Sequence, residues 1–287
     1  MVVLLALMLA GCREGPPTTV ESHIPASLAP RFWPPAGWTW GTLRLKSGAQ
    51  VRYGVAGPSG VARAQVVLVS GHREPIEAWF ETIADLTAKG LIVWAVEGNE
   101  DGAREVAGLA AKGSPGTPIL LLGSADGATS AVLAAQRGVP GLAGLVLSSP
   151  TISSDKRSAP KAWSRSDPDG LAAGLTSDRW RGAVVKAWLT ANPDLRPNIT
   201  DADLAAEAAR AKLVTAGQLP VPVLILTAID PAGEVAGLCS ALPQCTHELL
   251  AGGHADLHLE ADAIRGAWLA AVLAATDAAQ PADRIRE

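Results

Sequence analysis

The residues from Gly123 to Gly127 have the spacing of a strand-to-helix turn that carries a nucleophile. In the pattern Gly-x-Ser-x-Gly, a strained turn lifts a serine hydroxyl above the end of a buried strand, and small residues flank the serine because the two backbones nearly touch. Gly123 and Gly127 occupy the two small positions, directly after the apolar run 119–122. The residue at the centre, where serine is expected, is Ala125. The sequence therefore predicts the turn without its attacking oxygen.

An acid and a histidine follow this turn in the chain order nucleophile, acid, histidine that one class of serine hydrolases uses. Asp230 ends the apolar segment 223–230, and His254 lies 24 residues later, after two glycines. A histidine there could accept a proton from the nucleophile, while the aspartate fixes the ring tautomer and stabilises the imidazolium. His258 is the competing histidine, but its position favours a side chain facing the last helix. His247 falls within or beside a strand and is given no role.

Two neighbours of Ala125 are alternative nucleophiles. If the turn is shifted by one residue, Asp126 stands at its centre, and an aspartate there can trap a substrate as an ester, as in dehalogenases and epoxide hydrolases. Ser124 is less favoured, because its side chain is expected to point back along the strand. A third alternative is that the alanine replaces a natural serine, so that the chain is an inactive variant of an active serine esterase.

The elements that must position these residues alternate between strand and helix. The segments 42–45 and 51–55 predict an antiparallel hairpin at a sheet edge. Buried strands are predicted over residues 65–69, 91–96, 119–122, 142–147 and 221–227, and helices over 77–89, 104–112, 129–136 and 261–276. This alternation predicts an α/β fold, with a mostly parallel sheet covered by helices on both faces.

The segment 151–219 interrupts the alternation. It begins with polar residues and then carries helical patterns near residues 178–189 and 201–213. Because it follows the carboxyl end of a strand, it is expected to lie over the functional end of the sheet as a helical cap. The predicted core then consists of residues 38–150 and 220–277, with a tail over 278–287.

The N-terminal residues predict export and lipid attachment. Residues 2–11 form an apolar run too short to span a bilayer, and Leu-Ala-Gly-Cys, ending at Cys12, resembles a bacterial lipobox. A usual signal peptide has basic residues before its apolar run, and none occurs here; an ordinary export signal or a chance cysteine is the alternative. Residues 1–12 would then be the signal and lipobox segment and 13–37 a tether. The expected location is the bacterial cell envelope, lipid-anchored and facing the periplasm, where Cys239 and Cys245 could form a disulfide; two free thiols are the alternative.

Composition excludes several other classes. The 287 residues carry a net charge of −4 with 18% charged residues, which offers no electrostatic basis for binding nucleic acid. No Cys/His spacing suggests a zinc site, and no glycine-rich phosphate loop follows a strand. We therefore expect no metal and no cofactor.

Over residues 38–275 the chain resembles the lysophospholipase and monoacylglycerol-lipase-like serine hydrolases, within the serine-aminopeptidase-like α/β-hydrolases. The more specific marks are the segments 71–80, 175–178, 239–245 and 260–262, with Arg265. The resemblance implies an α/β-hydrolase fold and a glycerolipid or other carboxylic ester as the ancestral substrate class. It also implies an oxyanion hole made by the main-chain N–H groups of His72 and Asp126.

The chain departs from this family at the nucleophile, at the turn after the fourth strand, and in an unusually short connection from that turn to the strand before Gly123. Ala125 replaces the serine, and the family's Arg-Gly-x-Gly-x-Ser turn after the fourth strand is replaced by Glu97-Gly-Asn-Glu-Asp-Gly102. A single loss has several explanations, but coincident losses favour a site that has lost or changed its chemistry. The sequence therefore predicts a lipid-anchored hydrolase-fold protein that is inactive, or repurposed to bind a lipid or acyl ester under its cap.

Overall fold

The computed structural model describes residues 30–71, 74–150, 175–191, 206, 209–210, 214, 219, 221–230, 233–242, 244–254 and 256–279. Several sequence predictions lie outside these residues: the signal segment with lipidation of Cys12, the tether as far as residue 29, the oxyanion role of His72, and the tail from residue 280. Most of the predicted cap also lies outside them, apart from residues 175–191 and a few single positions.

The described part of the chain contains one eight-stranded sheet, with the strand order β1-β2-β4-β3-β5-β6-β7-β8. The strands are β1 Thr39–Arg44, β2 Gln50–Ala56, β3 Ala64–Val69, β4 Leu91–Val96, β5 Ile119–Ser124, β6 Leu142–Ser148, β7 Val223–Thr227 and β8 Cys245–Leu249. Strands β1 and β2 form the predicted edge hairpin, and β2 runs antiparallel to β4. All later pairings from β3 to β8 are parallel. The predicted fold class, a mostly parallel sheet, is confirmed.

Six α-helices are described: α1 Phe80–Ala88, α2 Glu100–Gly113, α3 Gly127–Gln136, α4 Arg179–Ala191, α5 Glu234–Ser240 and α6 Asp262–Ala278. Short 3₁₀ turns cover Pro30–Phe32, Ile76–Trp79 and Leu257–Leu259. Helix α2 begins earlier than its apolar pattern indicated, because the Asn99 side chain accepts the N–H of Gly102 at 2.9 Å and caps the first turn. No described helix has the length and apolar character needed to cross a bilayer.

Helices cover both faces of the sheet, because the side chains of the central strands alternate between two cores. Val67 and Leu121 pack with α2 and α3 on one face, whereas Leu68 and Leu122 pack with α1 and α6 on the other. This period-two alternation, with every residue of β3 and β5 buried, is what a parallel strand between two helical layers requires. The arrangement leaves the carboxyl ends of β3 and β5 to β8 at one edge, which carries the candidate site.

Helix α5 was not predicted, and the strand expected at or beside His247, which is β8, was given no bounds. They are short, and a disulfide between Cys239 in α5 and Cys245 in β8 joins them. β8 pairs only with β7 and is the far edge of the sheet. The chain leaving β8 leads to His254.

Candidate active site

The turn after β5 is strained at one residue. Ala125 has φ +48°, the left-handed region that costs an L-residue about 1–2 kcal/mol. Its N–H donates to the carbonyl of Ser148 at 3.0 Å, and its own carbonyl accepts from Ala128 at 3.2 Å. Ala125 is thus the residue at which the chain changes from strand to helix. This is the position that the sequence pattern assigned to a nucleophile.

Both flanking glycines are required by close backbone approach. A Cβ on Gly123 would lie 2.5 Å from the Cα of Ala128. A Cβ on Gly127 would collide with the main-chain carbonyls of Val69 and Ser70 at the end of β3. The turn is therefore packed tightly against both its own helix and the neighbouring strand.

The two alternative nucleophiles lie on either side of the strained residue. Ser124 is 2% exposed, and its hydroxyl approaches the buried carboxyl of Glu74, in the segment after β3. Asp126 is half-buried at the start of α3, and a Cβ on Gly71 would lie 2.8 Å from its Oδ1. Of these three residues, only Ala125 has the left-handed backbone of the turn.

The ring of His254 is held by Glu260. The Nδ1 atom lies 2.8 Å from Glu260 Oε1, and the same oxygen accepts the main-chain N–H of His254 at 2.5 Å. Glu260 is fully buried, whereas the His254 side chain is 39% exposed. With Nδ1 directed at the carboxylate, the Nε2 atom of His254 is the ring nitrogen available as a proton acceptor.

The protonation of Glu260 follows from its partners. Burial raises the pKa of this carboxyl, but hydrogen bonds from the Ser177 hydroxyl, from the N–H groups of Ser177 and His254, and the charge of His254 outweigh it. The pKa of Glu260 consequently lies below its ordinary value. Glu260 is ionised at neutral pH and can stabilise an imidazolium.

Asp230, which the sequence pattern paired with His254, has a different role in the structure. Its two carboxylate oxygens accept the N–H groups of Val235 at 3.2 Å and Ala236 at 3.0 Å, so it caps the start of α5. The acid on His254 Nδ1 is instead Glu260, six residues after the histidine. The strand-end position of Asp230 suited an acid, but the same position suits a helix cap. Glu260 could have been found from its position only six residues after His254 in the sequence, because the 3₁₀ turn Leu257–Leu259 between them brings the two side chains into contact.

The other two histidines among the described residues, His258 and His247, have different partners. His258 is 1% exposed and stacks on Trp79 with ring centroids 3.5 Å apart, and its Nε2 lies 3.1 Å from Glu74 Oε1. Its ring also lies 6.4 Å from that of Trp268 in α6, the helix it was expected to face. His247 in β8 shares a hydrogen bond of 2.8 Å between Nε2 and the Thr227 hydroxyl.

Glu74 and His258 form a buried pair whose members both favour the neutral form. Burial raises the pKa of Glu74 well above its ordinary value, and the charge of Asp256 raises it further. Burial lowers the pKa of His258 well below its ordinary value, with Arg265 and Arg181 adding to the effect. Glu74 Oε2 accepts the N–H of Gly71 at 3.1 Å, so this pair is hydrogen-bonded to the segment that follows β3.

Helix α4 of the predicted cap is fastened to the core through Arg181, which is 1% exposed. Its guanidinium makes two bonds of 2.8 Å to Glu81 in α1, one of 2.7 Å to Asp262 in α6 and one of 3.2 Å to Asp178. It also donates to the main-chain carbonyl of Glu260 at 2.7 Å. Three of these bonds reach helices of the core, and one reaches the main chain of Glu260, the acid that contacts His254.

The arrangement brings the strained turn and the His254–Glu260 pair to one edge of the sheet. Ala125 follows β5 and His254 follows β8, and the carboxyl ends of parallel strands meet at this edge. His254 has a carboxylate partner in Glu260, and Ala125 occupies the strained turn that the sequence pattern assigned to a nucleophile. Within the described ranges, no group of three His, Cys, Asp or Glu side chains could hold a metal ion.

Several solved structures of other proteins are similar to this chain in fold, at low sequence identity. A soluble variant of monoglyceride lipase from Saccharomyces cerevisiae, in complex with a substrate analog, matches with a TM-score of 0.66 and 16% identity over 84% of this chain and 94% of that chain. A lipase in an open form matches with a TM-score of 0.64 and 17% identity over 85% and 100%. The monoacylglycerol lipase of Paleococcus ferrophilus matches with a TM-score of 0.59 and 18% identity over 80% and 100%.

No family model and no curated protein matches the sequence. The sheet order, the strained turn after β5 and the structural neighbours nevertheless agree with one another. The chain has the α/β-hydrolase fold.

Proposed function

We propose that this protein binds a lipid or acyl ester at a lysophospholipase-like site and does not cleave it. The observation that carries the proposal is Ala125 at the strained turn, with φ +48°, combined with a His254–Glu260 pair after β8. The backbone of a nucleophile turn and its proton acceptor are present, but a methyl group cannot attack a carbonyl. In serine hydrolases, loss of a triad member leaves only about 10³–10⁴ of acceleration over water.

The ligand class follows from the fold and from the resemblance in sequence. Two of the structural neighbours are a monoglyceride lipase and a monoacylglycerol lipase by name, and the sequence resembles the same group of ester hydrolases. We therefore propose a glycerolipid or another carboxylic ester as the ligand. Residues 151–219 would cover it, and the main-chain N–H groups of His72 and Asp126 would bind its carbonyl oxygen.

The test compares the unmodified chain with Ala125→Ser and with Ala125→Ser carrying His254→Ala. Short-chain p-nitrophenyl esters and monoacylglycerols are the substrates. We expect negligible turnover by the unmodified chain, a rise in kcat/KM of about 100-fold or more for A125S, and loss of that rise when His254 is removed. Binding of a fluorescent monoacylglycerol analogue by the unmodified chain tests the ligand directly.

Two outcomes would overturn the proposal. Turnover by the unmodified chain at an ordinary enzymatic rate would show that another group attacks, and mass spectrometry after incubation with a reactive epoxide would then test Asp126 as that group. Absence of both ligand binding and A125S activity would remove the acyl-binding role.

We further propose that Cys12 is lipidated and anchors the protein in a bacterial cell envelope, facing the periplasm. Metabolic labelling with a palmitate analogue in a bacterial host should label the unmodified chain and not Cys12→Ser. A chain carrying both Cys239→Ser and Cys245→Ser is the matched control, because it loses two cysteines that pair with each other and should keep the label. Label that persists in C12S contradicts the anchor.

A further inference from the structure

We propose that Ser177 is a positioning residue for His254, so that the segment at the start of α4 sets the orientation of the imidazole. The coupling runs through the two carboxylate oxygens of Glu260. It rests on the proposed function, because it gives His254 its role in the same site. It adds that the predicted cap takes part in forming the site as well as covering it.

The carboxylate of Glu260 is divided between two segments of the chain. Its Oε1 accepts the main-chain N–H of His254 at 2.5 Å and faces Nδ1 of the same residue at 2.8 Å. Its Oε2 accepts the hydroxyl of Ser177 at 2.5 Å and the N–H of Ser177 at 3.2 Å, with a longer bond of 3.3 Å from Ala261. One oxygen therefore serves the candidate base, and the other serves mainly the inserted segment.

The main chain around Glu260 is held by the same segment. The Thr176 hydroxyl donates to the carbonyl of Leu259 at 2.5 Å, and Arg181 donates to the carbonyl of Glu260 at 2.7 Å. In the other direction, the N–H of Asp256 donates to the carbonyl of Leu175 at 3.2 Å. These bonds lie on either side of Glu260, so the carboxylate cannot keep its place if the segment moves.

Burial makes this dependence strong. Glu260 is fully buried, and a buried carboxylate is tolerated only when hydrogen bonds or opposite charge replace its hydration. Ser177 supplies two of the five donors on the carboxylate, including the short hydroxyl bond. Without them the carboxylate is free to rotate toward other donors, and His254 loses the partner that fixes its Nδ1 proton. The ring then changes tautomer or turns, and its Nε2 no longer faces a fixed direction.

The experiment measures ring orientation as well as rate. In the unmodified chain, ¹⁵N NMR of the imidazole should show His254 with its proton on Nδ1, and Ser177→Ala should convert it to a mixture of tautomers. Ser177→Thr, which keeps the hydroxyl, should restore the Nδ1 form. Ser240→Ala is the matched control, because the exposed Ser240 hydroxyl bonds only within α5 among the contacts described.

The same substitutions in the A125S background give a kinetic readout. S177A should lower kcat about 10- to 100-fold with little change in KM, which is the effect of a misdirected proton acceptor rather than of weaker binding. Ser177→Thr should recover most of the rate, and S240A should have none of this effect. Thermal unfolding of each variant checks that the fold is retained.

Three results would overturn the inference. They are an unchanged His254 tautomer in S177A, an equal loss of kcat in S240A, and a loss in Asp230→Asn with none in Glu260→Gln. The NMR measurement does not depend on turnover. An inactive A125S would therefore count against the proposed function, while the His254 tautomer in S177A would still decide whether Ser177 positions the ring.

Discussion

Replacing Ala125 with glycine tests whether the turn after β5 stores backbone strain. Glycine adopts positive φ without the clash between Cβ and the following carbonyl, so Ala125→Gly relieves the left-handed conformation at φ +48°. The matched control is Ala111→Gly in α2. Both alanines are half-buried, but Ala111 lies in a regular right-handed helix.

The magnitudes decide the sign of the difference. At both positions glycine loses more backbone entropy on folding, about 0.5–1 kcal/mol, and removes part of a methyl contact worth at most about 0.8 kcal/mol. Only at position 125 does glycine recover the left-handed cost of about 1–2 kcal/mol. We expect A111G to destabilise the protein by about 1 kcal/mol and A125G to leave its stability unchanged or raised by about 0.5 kcal/mol.

Chemical denaturation of the two variants and the unmodified chain measures this difference, with m-values compared to confirm that the same surface unfolds. In a thermal scan, A125G should melt about 2–6 °C above A111G. Equal destabilisation by the two substitutions would refute the reasoning, because it would mean that residue 125 has an ordinary right-handed or extended backbone. The strained position would then be another residue of the turn, and Asp126 or Ser124 would regain its place as the candidate nucleophile.

Three further predictions concern packing and buried charge. Arg181→Ala should destabilise the protein by about 3–5 kcal/mol in chemical denaturation, because it removes the bidentate partner of the buried Glu81 carboxylate. Adding Glu81→Gln should recover part of this loss, and no recovery would contradict an ionic cause. Above pH 4.5 the free energy of unfolding of Glu74→Gln should rise relative to that of the unmodified chain, by up to about 1.4 kcal/mol per pH unit, because folded Glu74 retains a proton that the unfolded chain releases. Parallel pH profiles of the two proteins would refute the raised pKa. Gly127→Ala should lower the free energy of unfolding by about 1–3 kcal/mol, because the new Cβ meets main-chain carbonyls. Gly108→Ala, which has open space in α2, should raise it by up to about 1 kcal/mol, and similar effects at both sites would contradict the close approach at Gly127.

The sheet was predictable from sequence because its strands carry local signals. Strand β4 begins and ends at the predicted residues, Leu91 and Val96, since a continuous apolar run between Gly90 and a polar turn leaves one reading. A strand was expected within or beside His247, but the bounds of β8 were not predictable because it is half-exposed and short, with Glu248 and His247 among its five residues. An edge strand needs burial on fewer sides, so its apolar pattern is weaker.

The turn was predictable for a similar local reason. Gly123 and Gly127 are needed by atoms within a few residues and by one neighbouring strand, so their spacing carries the geometry. The partner of His254 was not predictable in this way. Asp230 and Glu260 both carry carboxylates near the edge of the sheet that holds His254. Which of them contacts His254 depends on where α5 begins and where residues 175–181 pack. Those are tertiary facts that no local pattern contains.

Under the proposed function, binding and bond cleavage depend on different atoms, so the alanine need not abolish both. Cleavage by a serine-type route needs an oxygen on residue 125, and alanine has none. Binding of an acyl carbonyl needs main-chain N–H donors at the start of α3, and the backbone there is set by Gly123, Gly127 and the strained φ of residue 125, whichever side chain that residue carries. The His254–Glu260 pair is likewise held by hydrogen bonds to residues 175–181 that do not involve residue 125. Under this proposal the shape and polarity of the site do not depend on an oxygen at residue 125, and Ala125→Ser is the substitution that tests whether the site binds an ester or also cleaves it.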